Sequence, residues 1–272
     1  MKRLEPKATS QVVLSIGTTF LIGTLGLGTS GLGFAPAHSR PWADIEQSGR
    51  LRVGVKTDLP PLAWQDESGE WQGLEIAITR QLANQLLGDE NAVEFVPLAN
   101  QERVEAVIDD RVDMAIAQIG ITTARIRRVN LTLPYYLDGT AIVVPDSSPL
   151  SSSLGLSTEA IAVLQDSTAV ATLNTLSPEL ETVGTESYLD SVDALQIGRV
   201  DGVAADASVM AGWVQEEAGY RLLTPLLSGS GLAIALPKGN QYSELRRRVN
   251  VEMQELADSG WFEQQAEAWG LP

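Results

Sequence analysis

The sequence predicts an α/β protein built as two lobes, and three observations predict it. Between Leu51 and Ala117, strand-like apolar runs alternate with helix-patterned stretches, the grammar of a largely parallel sheet covered by helices. The texture breaks at Pro145 and the Ser-rich stretch 146–153, and from Ala160 the same alternation starts again. At 272 residues the chain has room for two such lobes after a leader.

The leader comes first. Lys2, Arg3 and Lys7 precede residues 12–34, which carry no charge, and the run ends in Ala35-Pro36-Ala37, a small-x-small sequence of the kind signal peptidase reads. Residues 1–37 are therefore expected to be a signal peptide that exports the chain to the periplasm. At more than about 20 residues, the run 12–34 is also long enough to remain as an uncleaved membrane anchor. Cleavage would remove three positive charges and one negative, taking the net charge from −16 to −18.

In the first lobe, residues 51–55 (LRVGV) read as a buried strand, followed by a loop over 56–61 in which Pro60 and Pro61 forbid a helix. A turn at 66–69 lies between Trp64 and Trp71, both expected to pack. Residues 74–87 place Leu74, Ile78, Leu82 and Leu86 four apart, with Gly73 and Gly88 at the ends: an amphipathic helix. A strand over 93–96 and a helix over 101–108, with Val104, Val107 and Ile108 inward, lead to the buried strand 112–117. There the chain turns polar. Gly120 permits a tight turn, Thr122 suits an N-cap, and the short helix 123–128 carries Arg125, whose planar fork can hold a carboxylate in two parallel hydrogen bonds beyond the strand's carboxyl end.

Residues 135–140 then lead into an apolar extended segment over 141–144. In the second lobe we expect a strand over 160–163, a turn over 164–168, a helix to 176, a helix over 188–197, a strand over 200–205 and a helix over 207–218. Asp206, at the junction of the last two, suits an N-cap or a ligand's cation. After Gly229-Ser230-Gly231, a return strand over 232–236 and helices over 241–258 and 261–269, broken at Gly260, close the chain.

Composition excludes several classes of function. A net charge of −16, with Arg246-Arg247-Arg248 the longest basic run and better read as a solvated helix face, argues against a nucleic-acid partner. There is no cysteine and the one histidine is His38, so thiolate chemistry, a Ser-His-Asp triad and a multi-histidine metal site are all ruled out. No cofactor and no metal are expected.

In this order and spacing, the motifs resemble those of the periplasmic amino-acid-binding proteins of ABC transporters, solute-binding protein family 3. The likeness rests on Leu51-Arg52-Val53-Gly54-Val55 with Pro61 downstream, Gly73-Leu74-Glu75, Val112-Asp113-Met114, Thr122 with Arg125, Pro134-Tyr135-Tyr136, and Gly198-Arg199-Val200-Asp201 with Asp206. It implies the two-lobe periplasmic-binding-protein fold, hinged by two crossover strands and closing on a ligand: residues 38–141 plus 229–272 as lobe 1 and 142–228 as lobe 2. It further implies that Arg125 holds an amino acid's α-carboxylate, assisted by Ser167 and Thr168 at a helix start, and that Asp206 holds its α-ammonium. Gln118 and Gly120 stand in the ligand loop where the family often has serines, Leu59 where many members stack an aromatic, and Ala77 where a second acid is usual.

Within the family, Lys56 and Arg103 align with basic residues that the glutamate/aspartate branch directs at the side-chain carboxylate, Arg103 lying twenty-two residues before Arg125 as that branch requires; Tyr188 falls at a further polar contact. An acidic or amide amino acid, glutamate first, is the expected ligand. A monomeric binding protein delivering it to an ABC permease in the inner membrane is the expected function. The alternatives are a membrane-anchored amino-acid sensor, for which no signalling domain is expected after Pro272, and a periplasmic dehydratase, for which Glu75 is the nearby acid although solvation at a helix start accounts for it better.

Overall fold

The computed structural model describes residues 40–165 and 167–272. The expected leader, 1–37, lies outside them.

The first lobe opens with α1 (Trp42–Ser48) and β1 (Leu51–Val55), whose residues are all buried except Arg52. A small antiparallel meander follows, β2 (Asp58–Leu59), β3 (Ala63–Gln65) and β4 (Trp71–Gln72), with Asp66–Gly69 as the turn between the last two. Next come α2 (Leu74–Leu87), β5 (Val93–Pro97), α3 (Glu102–Ile108), β6 (Met114–Ala115), α4 (Thr123–Arg128) and β7 (Asn130–Leu131). The stripe Leu74, Ile78 and Leu82 of α2 is fully buried against the sheet, each side chain stabilising the lobe by about 1.5–3 kcal/mol. Of the run 112–117 only Met114–Ala115 is ladder-paired, yet all six residues are buried, so the expected strand is short and the expected burial complete. Asp113, fully buried within it, is satisfied by Arg40 at 2.6 Å and by the side chain and N–H of Arg52 at 2.9 and 2.8 Å. Ile108, expected inward, is 40% exposed because α3 ends there and Ala106 and Val107 face the sheet instead.

The chain crosses at β8 (Tyr136–Asp138) and enters the second lobe as β9 (Thr140–Pro145). Thr140 and Ala141 already pair with Asp206 and Ala205, so the crossing lies at Asp138–Gly139; the Ser-rich stretch 146–153, where the texture changed, is a loop inside the second lobe. There follow β10 (Ala160–Leu164), α5 (Thr168–Leu176), β11 (Glu181–Thr185), α6 (Tyr188–Gln196), β12 (Gly202–Asp206), α7 (Ala207–Glu216) and β13 (Tyr220–Leu223). Strands β11 and β13 were not expected. The sheet runs β11-β10-β12-β9-β13, parallel through β11, β10 and β12 and antiparallel at β9 and β13.

The chain returns through β14 (Ser230–Leu232), antiparallel to β8, and these two strands are the crossover pair. The expected single return strand is split, because Ala235–Leu236 forms β15 in the first sheet, whose order is β5-β1-β6-β15-β7. Helices α8 (Ser243–Asp258) and α9 (Trp261–Ala268), broken by Gly260 in the left-handed conformation, pack back on lobe 1 through Leu245, Val249, Met253 and Phe262. Arg248 lies 4.4 Å over the ring of Trp42, so the arginine run is only in part a solvated face.

Candidate functional site

The site is built where the two sheets present their strand ends to the crossover pair. On lobe 1, Thr122 caps α4 by accepting the N–H of Arg125 at 3.2 Å, which turns the Arg125 side chain back along the loop. Its Nη1 donates to the Gly120 carbonyl at 2.7 Å. A Cβ at Gly120 would stand 3.2 Å from that Nη1 and 3.1 Å from the Ser230 hydroxyl, so the loop is narrow where the arginine crosses it.

Arg103, from α3, reaches the same place. It donates to Asn100 O at 3.0 Å, Ala117 O at 3.0 Å and Gln118 O at 2.8 Å. Arg103 and Arg125 together line a cavity of about 200 Å³ with Asn100, Ile119 and Ala124. Burial, then the nearby Arg125, disfavour the charged form of Arg103, while Glu75, Tyr135 and Asp206 favour it; burial alone acts on Arg125.

From lobe 2, Asp206 ends β12 and starts α7 with no side-chain capping bond. Burial and then the charge of Asp138 push its carboxyl up to about 6, against the pull of Arg103. Tyr188, at the start of α6, is pushed up to about 12 by burial and by the neighbouring Asp206 and Asp138. Arg103 of one lobe is thus the cation that interacts both with Arg125 beside it and with the Asp206 carboxylate of the other lobe.

Gln118 links the two sides. It holds φ at 50°, in the left-handed region that a residue with a side chain rarely adopts. Its N–H donates to Glu75 Oε1 at 2.6 Å, and its Nε2 approaches the Ser208 hydroxyl of α7 at 3.5 Å. Glu75 is fully buried rather than solvated, which corrects the helix-start expectation. The hydroxyl of Tyr135 donates to its Oε1 at 2.5 Å, its Oε2 has no partner among the described residues, and burial pushes its pKa up.

The other expected residues stand as follows. Lys56 is buried but pairs with Asp58 at 3.0 Å and lines a different cavity, of about 450 Å³, with Pro97, Ala99 and Asn100; it does not join Arg103 and Arg125. Ser167 starts α5, its hydroxyl buried and without a partner among the described residues, and Thr168 beside it is exposed. The residue pair missed from the sequence is Asp138 and Ser208: the Ser208 hydroxyl and N–H donate to Asp138 at 2.5 and 3.1 Å, joining the crossover strand to α7. A lone Asp-Gly between the apolar segments that became β8 and β9 was the available signal.

A profile of the bacterial extracellular solute-binding proteins, family 3, matches residues 51–272. The chain belongs to this family. Among relatives of this family 3 protein, the glutamine-binding protein GlnH of Bacillus subtilis is 25% identical over 97% of each chain, and a glutamine-binding protein of Geobacillus stearothermophilus is 28% identical, covering 71% of this chain and 75% of the relative. The solved solute receptor for L-cysteine of Neisseria gonorrhoeae is 29% identical with a TM-score of 0.66, covering 85% of this chain and 94% of the receptor. More distant relatives, each 24% identical, are named as an arginine-binding protein of Escherichia coli and a glutamate-binding protein of Corynebacterium glutamicum, with 81% and 80% of this chain and 90% and 77% of the relatives covered. These relatives are amino-acid-binding proteins of several specificities. The family is extracellular, and among the described residues no helix is long and apolar enough to cross a membrane.

Proposed function

We propose that this protein captures a free amino acid with an acidic or amide side chain, glutamate first, between its lobes and delivers it as a monomer to an ABC permease. The observation that carries the reading is the charge arrangement around half-buried Arg103, which stands in electrostatic range of Arg125 beside it on lobe 1 and of Asp206 on lobe 2. An α-carboxylate, a side-chain carboxylate or amide, and an α-ammonium supply the complementary set. In this reading Arg125 takes the α-carboxylate, Asp206 the ammonium and Arg103 the side chain, with Ser167, Thr168, Gly120, Gln118 and Tyr188 completing the shell. Lys56 stays outside the clamp because Asp58 already engages it.

Relatives named for glutamine and glutamate support the acidic or amide choice, and relatives named for arginine and cysteine set the competing ligands. The burial of Glu75 beneath Gln118 and Tyr135 favours binding without chemistry, since a general acid must reach its substrate. The small-x-small sequence Ala35-Pro36-Ala37 favours a cleaved, periplasmic protein over one anchored through residues 12–34.

A thermal-shift screen of the mature protein against the common amino acids tests the reading, because a ligand that binds only the folded state raises Tm. Glutamate or glutamine is expected to give the largest rise; a flat response across the panel would remove the proposal.

A further inference from the structure

Gln118 occupies a position that ordinary packing does not require. A non-glycine residue at φ 50° costs free energy, and here three separate groups hold it: Glu75 takes its N–H, Arg103 donates to its carbonyl, and its side chain reaches toward Ser208. The first two belong to lobe 1 and grip the two faces of one residue, Glu75 from α2 and Arg103 from α3. The third belongs to lobe 2.

Ser208 is equally fixed. It is fully buried in the first turn of α7, and its hydroxyl hydrogen goes to Asp138, leaving the oxygen's lone pairs free to accept from the Gln118 amide. Asp138 also receives the Ser208 N–H, the Gly139 N–H and the Gln118 side chain. At 3.5 Å the Gln118 to Ser208 contact is at the outer limit of a hydrogen bond, so a movement of a few tenths of an ångström between the lobes makes or breaks it.

We infer that Gln118 and Ser208 form a catch that couples the two lobes, with Glu75 as the positioning residue that holds Gln118 in its left-handed conformation. Ser208 lies two residues after Asp206 on the same helix start, and the Gln118 carbonyl is held by the same Arg103 that lines the cavity beside Arg125. A ligand drawn between Arg125 and Asp206 therefore pulls together the elements that carry the two halves of the catch. The coupling to a ligand rests on the proposed amino-acid clamp; the catch itself does not.

The test uses the absence of cysteine in the sequence, which lets spin labels be placed only where cysteines are introduced. Glu90→Cys on lobe 1 and Glu179→Cys on lobe 2, both exposed, report the interlobe distance by electron–electron dipolar spectroscopy. In the ligand-free protein, Gln118→Ala and Ser208→Ala are each expected to shift the distribution toward longer distances, and the double variant to shift it no further than either alone, the signature of one shared contact. Glu75→Gln keeps an oxygen acceptor for the Gln118 N–H and is expected to retain the wild-type distribution, whereas Glu75→Ala is expected to match Gln118→Ala. With amino acid added, the catch variants are expected to bind at least about fivefold more weakly. Unchanged ligand-free distributions in both Gln118→Ala and Ser208→Ala, or shifts that add fully in the double variant, would overturn the catch. Because that distance is read without ligand, a failure of the amino-acid proposal shows separately, as absent binding in the wild type.

Discussion

Gly212 of α7 lies so close to Pro60 of the other lobe that a Cβ at position 212 would run into the Pro60 carbonyl oxygen and stand 3.1 Å from Cδ of Pro61. Along the same helix Ala211 joins the lobe 1 core and Gln215 donates to the carbonyls of Trp269 and Gly270, at 3.3 and 3.0 Å. Helix α7 thus bears on lobe 1, as does Leu222 of β13, which packs against the lobe 1 core. Gly212→Val is expected to wedge the lobes apart, an overpacking cost of about 1–3 kcal/mol that falls on closure. Small-angle scattering of the ligand-saturated variant is expected to give a larger radius of gyration than the wild type.

Arg125→Ala and Asp206→Ala are each expected to weaken amino-acid binding by about 2–5 kcal/mol, since each leaves the ligand's opposite charge unpaired in a poorly hydrated site. Arg125 also braces its own loop through Gly120. A circular dichroism melt therefore accompanies the titration, and the binding loss is expected without a comparable loss of folded signal.

Affinity and stability are expected to move in opposite directions on acidification. On the proposed clamp the ligand's ammonium needs Asp206 charged, and the Asp206 carboxyl is raised from 3.8 to about 6 by burial and Asp138, against the pull of Arg103. Below about pH 6 affinity is expected to fall by up to about tenfold per pH unit, as for one coupled proton. A carboxyl raised on folding binds its proton more tightly folded than unfolded, so its contribution to stability grows as pH falls from about 6 toward 3.8 and is lost as pH rises. Glu75 and Asp138 are raised by burial too and act in the same direction. The Tm of the ligand-free protein is therefore expected to be higher at pH 5 than at pH 7, with ligand binding near pH 5.5 releasing a proton, read as a buffer-dependent binding enthalpy.

The parts of this fold legible in the sequence are those that depend on near neighbours. Thr122 and Arg125 are three residues apart and their cap is local; the Leu74, Ile78 and Leu82 stripe repeats at helical spacing. Strand β11, with the sequence ETVGT, has too little apolar content to stand out, and its place was set by pairing with β10. Glu75 reads as a solvated helix start because the hydroxyl that caps its burial comes from Tyr135, sixty residues on. Asp138 and Ser208, seventy residues apart, meet only because the crossover strand runs past α7. The ion pair of Lys56 with Asp58, two residues along, was not legible, because the strand pairing of β2 with β3 sets where Asp58 points.

Calorimetric titration of the mature protein with glutamate, aspartate, glutamine, arginine and leucine tests the central claim most directly. The account predicts saturable one-to-one binding, tightest for glutamate, next for glutamine or aspartate, and lost on Arg125→Ala. Tight arginine or leucine binding with none for glutamate would contradict the assigned specificity, and wild-type affinity in Arg125→Ala would contradict the clamp itself.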